Sequence, residues 1–365
     1  TPTKLQVSTF LFKIIGDKSD ADGNMLKEHI NLSNNFEVLY WISYDINRIS
    51  NNDSIFNEIT NDMINNVDGI WITREANKVN KEVFICEIEK FILNKKIVYI
   101  SSKLDYEKQN LIDEKFGEKC EYIKYKNDIQ KEINLVCENS IENFKSSILN
   151  IDTPIITVMG MLPNIQKFDI QLYLRKYFLD AGYNVLQIGS NTDCELLGFY
   201  SMPDFMYDSN FNETTKILKF NRFVQILERV HKPDIIIIGI PNAILPYSKN
   251  SNFNFGIEAY EILNAIQSDY NILSLPNGEY NDDYYKDIEN LCKYRYNTSL
   301  DSIFISQFVP ISNTTESLEF IFAKTEERVN KSNIMPIYNI KSLENGKFFN
   351  YIISILEEYS EIELF

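Results

Sequence analysis

The sequence predicts an α/β protein with two open, mostly parallel sheets, the second of them P-loop-NTPase-like with a degenerate phosphate loop. Short apolar runs alternate with polar helical stretches along the chain, which is the rhythm of βαβ units. Four consecutive isoleucines within Asp234–Gly239 are typical of a central parallel strand. The chain has 365 residues. At ~150 residues per domain, this length favours two domains.

Residues 1–150 are predicted to form a small open-sheet domain, because five apolar runs are separated by polar helical segments. No glycine-rich phosphate loop is found in this part of the sequence. The predicted strands are Leu5–Phe12, Phe36–Trp41, Gly69–Thr73, Ile97–Ser101 and Glu121–Tyr125. The predicted helices are Asn24–Asn31, Ile55–Asn65, Lys81–Leu93 and Ile129–Leu149.

Residues 151–365 are predicted to form the second domain, entered through the linker Asn150–Pro154. Gly182 follows a predicted helix directly, as a helix stop signal does. The predicted strands are Ile155–Met159, Asn184–Gly189, Asp234–Gly239, Asn271–Leu275 and Ser302–Val309, with a strand-like Met335–Ile340. The predicted helices are Phe168–Ala181, Thr214–Val230, Ile257–Ser268, Asp283–Lys293 and Gly346–Glu358.

Composition and charge argue against several function classes. The net charge of −16 repels phosphate backbones and anionic membranes, and no apolar run approaches the ~18 residues of a membrane span. The five cysteines show no CxxC spacing, so we expect reduced thiols in the cytoplasm, with Cys86 in a core. Only two histidines are present and the G-x-S-x-G pattern is absent. A Cys/His zinc site and a Ser-His-Asp hydrolase are therefore not expected.

The segment Met159–Asp169 follows a predicted strand and opens a predicted helix, which is where a P-loop lies. Gly160 precedes Lys167 by seven positions, the spacing of the variant loop G-T-D-x-x-V-G-K-T. The segment therefore resembles dethiobiotin synthetase-like and other SIMIBI-type NTPases. The resemblance continues in Gly182–Val185, which matches their G-Y-x-V entry to a second strand, and in Pro233–Pro246, which matches their Walker-B-type strand.

Three departures from that pattern predict a degenerate phosphate loop. Gln166 replaces the glycine before the lysine and restricts the backbone there, while Phe168 replaces the hydroxyl residue that binds Mg²⁺. Ile238 stands where the second strand carries an acid. We therefore expect no metal site and no Mg-NTP hydrolysis. Lys167 and the free N–H groups at the start of the next helix are left as a means of holding an anion.

Longer motifs resemble a second family, the clostridial natural-product peptide maturation system proteins, encoded beside radical SAM enzymes and Cys-rich precursor peptides. The motifs are Lys167–Gln171 with Leu174-Arg175, Gln187–Ser190, Cys194–Phe199, Pro203–Met206 and Phe255–Glu261. The resemblance implies a cytoplasmic accessory protein of a bacteriocin-like peptide pathway. Its implied partners are the precursor peptide, the radical SAM maturase, or both. The net charge argues against nucleic-acid and membrane partners. The resemblance defines a pathway and no reaction or oligomeric state.

Ligands of open α/β sheets bind at the carboxyl ends of strands, so polar residues near those ends are the candidate site. The predicted ligand-binding residues are Gly160, Lys167, Gln171, Arg175, Ser190 and Asn242. The apolar loop 196–206 is interpreted as a lid or a peptide-binding surface, and Glu258 and Glu261 as a solvated helix face. Two alternatives are left open, a pure scaffold and an ATP- or acyl-CoA-dependent ligase or acyltransferase. In the enzyme, Asp193 or Glu195 is the candidate base.

Overall fold

The structure is a computed structural model that describes residues 12–17, 36–42, 59–72, 80–100, 104–125, 147–163, 165–190, 194–246, 253–311, 321–326, 328 and 330–362. These residues fall into two compact units. The first takes the described residues of Thr1–Ile133 and Thr192–Tyr200, and the second takes those of Asn134–Asn191 and Ser201–Phe365. The predicted domain boundary at residue 150 stays a prediction.

The first unit contains a five-stranded sheet within its described ranges, in the order β2-β1-β3-β4-β5, and its strands pair in parallel. The strands are β1 (Phe12–Asp17), β2 (Phe36–Ile42), β3 (Gly69–Ile72), β4 (Ile97–Ile100) and β5 (Ile123–Tyr125). The helices are α1 (Asn61–Asn66), α2 (Lys81–Leu93) and α3 (Tyr106–Phe116). The parallel open sheet predicted for this part of the chain is confirmed.

Helix α2 has the predicted bounds because its local signals agree with its packing. Its N-cap, Asn80, accepts hydrogen bonds from the backbone N–H groups of Glu82 and Val83. Phe84 and Ile88 lie one turn apart and pack into the core of the unit. Cys86 lies on the opposite side and is exposed, so the prediction of a core cysteine is wrong.

Some predicted elements of the first unit differ from the structure, and others fall on residues outside its described ranges. Of the predicted strand Leu5–Phe12 only Phe12 is described, and it belongs to β1. Helix α3 was not predicted, and Asp105 caps it by accepting from the backbone N–H of Lys108. The predicted helix Asn24–Asn31 lies outside the described residues. So does most of the predicted helix Ile129–Leu149, and residues 147–149 are not helical.

The second unit contains a seven-stranded sheet within its described ranges, in the order β14-β11-β10-β6-β9-β7-β8. The strands are β6 (Ile155–Gly160), β7 (Val185–Gly189), β8 (Tyr200–Ser201), β9 (Ile235–Gly239), β10 (Tyr270–Leu275), β11 (Ser302–Ile305) and β14 (Ile337–Tyr338). A separate antiparallel pair consists of β12 (Phe308–Ile311) and β13 (Ile321–Lys324). The predicted single strand Ser302–Val309 is therefore two strands.

The helices of the second unit cover the strands. They are α4 (Lys167–Asp180), α5 (Glu213–His231), α6 (Ile257–Ala265), α7 (Asp282–Tyr296), α8 (Ile340–Glu344) and α9 (Lys347–Ile362). Every residue of β6, β7, β9 and β10 is buried, as expected for parallel strands with both faces covered. Ile170, Leu174 and Phe178 repeat every four residues and anchor α4 to the core. No helix of the described residues is long and apolar enough to cross a membrane.

Candidate functional site

The candidate site lies at the carboxyl ends of β6 and β9, which are neighbours in the sheet. The chain leaves β6 through α4 toward β7, whereas it leaves β9 through α6 toward β10 on the other side of β6. Connections that depart in opposite directions open a crevice at the carboxyl edge of a parallel sheet, and ligands of open α/β proteins bind there. The loop after β6 and the loop after β9 are joined by a hydrogen bond of 2.9 Å, in which Ile244 N–H donates to the Gly160 carbonyl.

Lys167 is the first residue of α4, and its side chain points back into the space between these loops. Its Nζ donates to the carbonyl of Ile240 at 3.1 Å and also to the carbonyl of Asn242. Lys167 is 6% exposed. Burial lowers its pKa to about 7, while the nearby carboxylate of Glu258 acts in the opposite direction. The hydrogen bonds of the Lys167 amine therefore connect the loop after β9 to the start of α4.

Gly160 makes this position of Lys167 possible. A Cβ atom on residue 160 would lie 2.5 Å from Lys167 Cδ and 2.9 Å from the carbonyl oxygen of Leu162. Leu162 and Ile165 of the same loop are buried, and the Ser274 hydroxyl donates to the Ile165 carbonyl at 2.5 Å. Apolar side chains thus pack inward within the loop between β6 and α4.

Gln166 adopts the conformation that a glycine would favour at this place, with φ +61°. Its side-chain oxygen holds it there by accepting from Gln307 N–H at 2.6 Å and from the Ser306 hydroxyl at 3.1 Å. The prediction that Gln166 restricts the backbone is therefore corrected, because these two hydrogen bonds offset the cost of a left-handed residue.

Apolar residues stand at the two positions where the sequence resemblance would place metal-binding side chains. Phe168 and Ile238 are both buried, with 5% and 0% exposure. Within the described part of the chain, no group of three or more His, Cys, Asp or Glu side chains is placed to hold a metal ion.

Gln171 and Ser190 form a second link across this edge. The Gln171 amide donates to the Lys167 carbonyl at 3.0 Å and to the Ser190 hydroxyl at 3.1 Å. The amide lies against Gly239, where any Cβ atom would collide with it. Arg175, one turn further along α4, donates to the Val185 carbonyl at 3.3 Å and supports β7. The structure thus connects Gly160, Lys167, Gln171, Ser190 and Asn242 through contacts, whereas Arg175 bonds the start of β7.

Glu258 at the start of α6 completes the site, although the sequence predicted a solvated position. It is 5% exposed, and its Oε1 accepts from the amides of Asn242 at 2.9 Å and Asn254 at 2.8 Å. Glu261 is 1% exposed, so the predicted solvated glutamate face is wrong. The physical reason is that apolar residues surround both positions in α6 and the helix is covered on more than one side. The apolar residues next to Glu258 and Glu261 in the sequence were the signal that could have predicted their burial.

The remaining predicted residues give a mixed outcome. Asp193 and the side chain of Glu195 lie outside the described residues. In the loop interpreted as a lid, Leu197, Phe199, Met202 and Met206 are all buried. These four side chains therefore do not form a surface for a peptide, because they are already packed.

The comparisons with known proteins add little to this geometry. No protein-family model and no curated protein matches this chain. Among solved structures, it resembles a DUF1611 family protein from Anabaena variabilis at 10% identity and TM-score 0.49, covering 81% of this chain and 88% of that one.

Two further solved structures show weaker resemblance. A GTPase from Pyrococcus abyssi has 12% identity and TM-score 0.25, covering 42% of this chain and 68% of that one. Chloroplast FtsY from Physcomitrella patens has 12% identity and TM-score 0.28, with 61% and 72% covered. At these TM-scores the resemblances carry no functional conclusion.

Proposed function

We propose that this protein is an accessory component of a maturation system for ribosomally made peptides, which binds the precursor peptide or the radical SAM maturase and does not hydrolyse Mg-NTP. The single observation that supports a binding role without hydrolysis is that the side-chain amine of Lys167 is already hydrogen-bonded and buried. Its amine is already bonded to two backbone carbonyls and is buried in an apolar loop. A phosphate must displace both carbonyls to reach it. The pathway itself rests on the sequence motifs.

Exposed aromatic side chains in the second unit are available to such a partner. Phe255 is 53% exposed at the end of a left-handed segment, and its carbonyl accepts from the guanidinium of Arg295. Tyr294, next to Arg295, is 79% exposed. Aromatic residues are enriched at the centres of protein interfaces, so Phe255 and Tyr294 are the residues to test first.

Affinity capture with the products of adjacent genes tests this role. The tagged protein is expressed with the precursor peptide or the maturase, and the amount recovered is measured for wild type, Phe255→Ser and Tyr294→Ser. We expect recovery with the wild type and a clear loss with the two variants. Tyr106→Ser is the matched control, because Tyr106 is an 80% exposed aromatic residue of the first unit. Recovery of neither partner by the wild type contradicts the proposal.

The second candidate function is an ATP- or acyl-CoA-dependent ligase or acyltransferase of the same pathway. The observation that favours it is the position of Lys167 at the N-terminus of α4 and at the carboxyl edge of the sheet. Anionic groups of nucleotides and CoA bind at such positions in α/β proteins.

Calorimetry separates the two candidates. ATP and GTP, each with Mg²⁺, and CoA are titrated into the wild type and into Lys167→Ala. The accessory role predicts no binding in the micromolar range for either protein. Micromolar binding by the wild type that Lys167→Ala abolishes favours the enzyme and contradicts the proposal.

A further inference from the structure

The interface between α5 and α6 contains buried carboxylate oxygens that lack hydrogen bonds. Both oxygens of Glu261 and Oε2 of Glu258 have no hydrogen-bond partner among the described residues. Glu261 is 1% exposed and Glu258 is 5% exposed, so both carboxylates are shielded from bulk solvent. A buried carboxylate without hydrogen bonds is costly in its charged form and much less so when protonated.

Among the residues that the structure describes, one cation faces Glu261. Lys216 of α5 places its Nζ 3.7 Å from Glu261 Oε1, which is within ion-pair distance and too long for a hydrogen bond. The other charged groups that act on Glu261 are carboxylates, namely Glu213 on α5 and Glu258 on α6. Lys167 acts on Glu258 from the start of α4, and Arg295 of α7 bonds the Phe255 carbonyl before α6.

The balance of these effects favours a neutral Glu261. The pKa of Glu261 is raised to about 7, and burial is the main cause. Lys216 opposes the rise, while Glu258 and Glu213 add to it. Near neutral pH the group therefore exists in both protonation states. Loss of the proton adds a negative charge beside Glu258, which one lysine at 3.7 Å balances only in part.

We propose that Glu261 is a proton-operated switch in the α5–α6 interface. When protonated, it packs as a neutral side chain between the two helices. When ionised, it draws Lys216 toward itself and repels Glu258 on the preceding turn of α6. Because Glu258 holds the amides of Asn242 and Asn254, the change reaches the two loops around Lys167. The switch belongs to the fold of the second unit and stands whether or not the proposed function holds.

The test measures urea unfolding of the wild type and Glu261→Gln between pH 5.5 and pH 8. Between pH 4.5 and 7 the unfolded chain has lost the proton of Glu261 while the folded chain retains it, so rising pH favours unfolding. We expect the wild-type unfolding constant, divided by that of Glu261→Gln, to rise by about 30-fold over this range. Titrating groups that do not interact with Glu261 cancel in this ratio.

Two further variants complete the design. Glu344→Gln changes an exposed glutamate of the same unit, and its unfolding constant should keep the wild-type dependence on pH. Lys216→Met removes the cation, so the midpoint of the wild-type pH dependence should move to higher pH. The proposal is overturned if the wild-type unfolding constant, divided by that of Glu261→Gln, stays constant within a factor of two between pH 5.5 and pH 8. If that variant does not fold, an unchanged midpoint in Lys216→Met overturns it instead.

Discussion

The side chain of Lys167 lies directly over the Cα atom of Gly160, so closely that a Cβ atom at residue 160 would be 2.5 Å from Lys167 Cδ. This contact brings the end of β6 and the start of α4 together. It also directs the amine toward the carbonyls of Ile240 and Asn242. Lys167 therefore connects the loop after β6 with the loop after β9.

Replacing Gly160 with alanine is expected to destabilise the second unit. The added methyl group meets both the Lys167 side chain and the Leu162 carbonyl, and the backbone oxygen has little room to move. Overpacking of this kind costs about 1–3 kcal/mol of unfolding free energy. Urea denaturation measures the loss. Gly182→Ala is a poor control because the φ of Gly182 is +92°, whereas Ala181→Gly changes the far end of α4 and adds no atom that could clash. Equal stability of Gly160→Ala and the wild type contradicts the close contact.

Replacing Lys167 with methionine is expected to change how stability depends on pH. The pKa of Lys167 is lowered to about 7 in the folded protein, whereas the unfolded lysine titrates near 10.5. Between these values the unfolded chain binds more protons, so rising pH favours the folded state. From pH 7.5 to 9.5 the wild type should gain about 2–3 kcal/mol of unfolding free energy relative to Lys167→Met. Parallel dependence of the two proteins in urea denaturation would show that the amine is not buried.

The backbone at Gln166 predicts a difference between two substitutions. Both Gln166→Ala and Gln166→Gly lose the hydrogen bonds to Ser306 and Gln307. Glycine, however, adopts φ +61° freely, whereas alanine retains the strain of a left-handed residue. We therefore expect Gln166→Gly to be more stable than Gln166→Ala by about 1 kcal/mol. Thermal denaturation of the two variants checks the order, and the reverse order contradicts the left-handed conformation.

A double-mutant cycle tests the contact between Gly239 and Gln171. Gly239→Ala alone displaces the Gln171 amide and breaks its hydrogen bonds to Lys167 and Ser190. In the Gln171→Ala background the amide is absent, so the same change should cost less. We expect a coupling free energy of about 1–3 kcal/mol from the four unfolding curves. Additive effects would mean that a Cβ atom at residue 239 does not meet the Gln171 amide.

The sequence predicted much of this architecture for identifiable reasons. The buried run Ile235–Gly239 and the alternation of strands and helices are local patterns, and both parallel sheets follow from them. The motif from Gly160 to Lys167 also gave the right strand, loop and helix. Helix α3 was missed because its apolar side, with Ile112 and Phe116, is narrow and its polar content is high.

The candidate site was predicted in part. Gly160, Lys167 and Asn242 follow the ends of predicted strands in the sequence. The prediction therefore placed them at one edge of the sheet, because the carboxyl ends of parallel strands meet there. The roles of Glu258 and Asn254 were not predicted. Asn254 and Phe255 have positive φ, a conformation that depends on contacts with distant residues such as Arg295.

The sequence by itself predicted the fold class and the position of the loop before Lys167, and it carries Phe168 and Ile238 where the resemblance would place magnesium-binding residues. These properties depend on residue type and spacing along the chain. The tertiary structure alone decided that the Lys167 amine binds two carbonyls, that Gln166 is held in a left-handed conformation and that Glu258 and Glu261 are buried. The physical reason is that hydrogen bonding and burial depend on residues far apart in the sequence, which only the packed sheet and helices bring together.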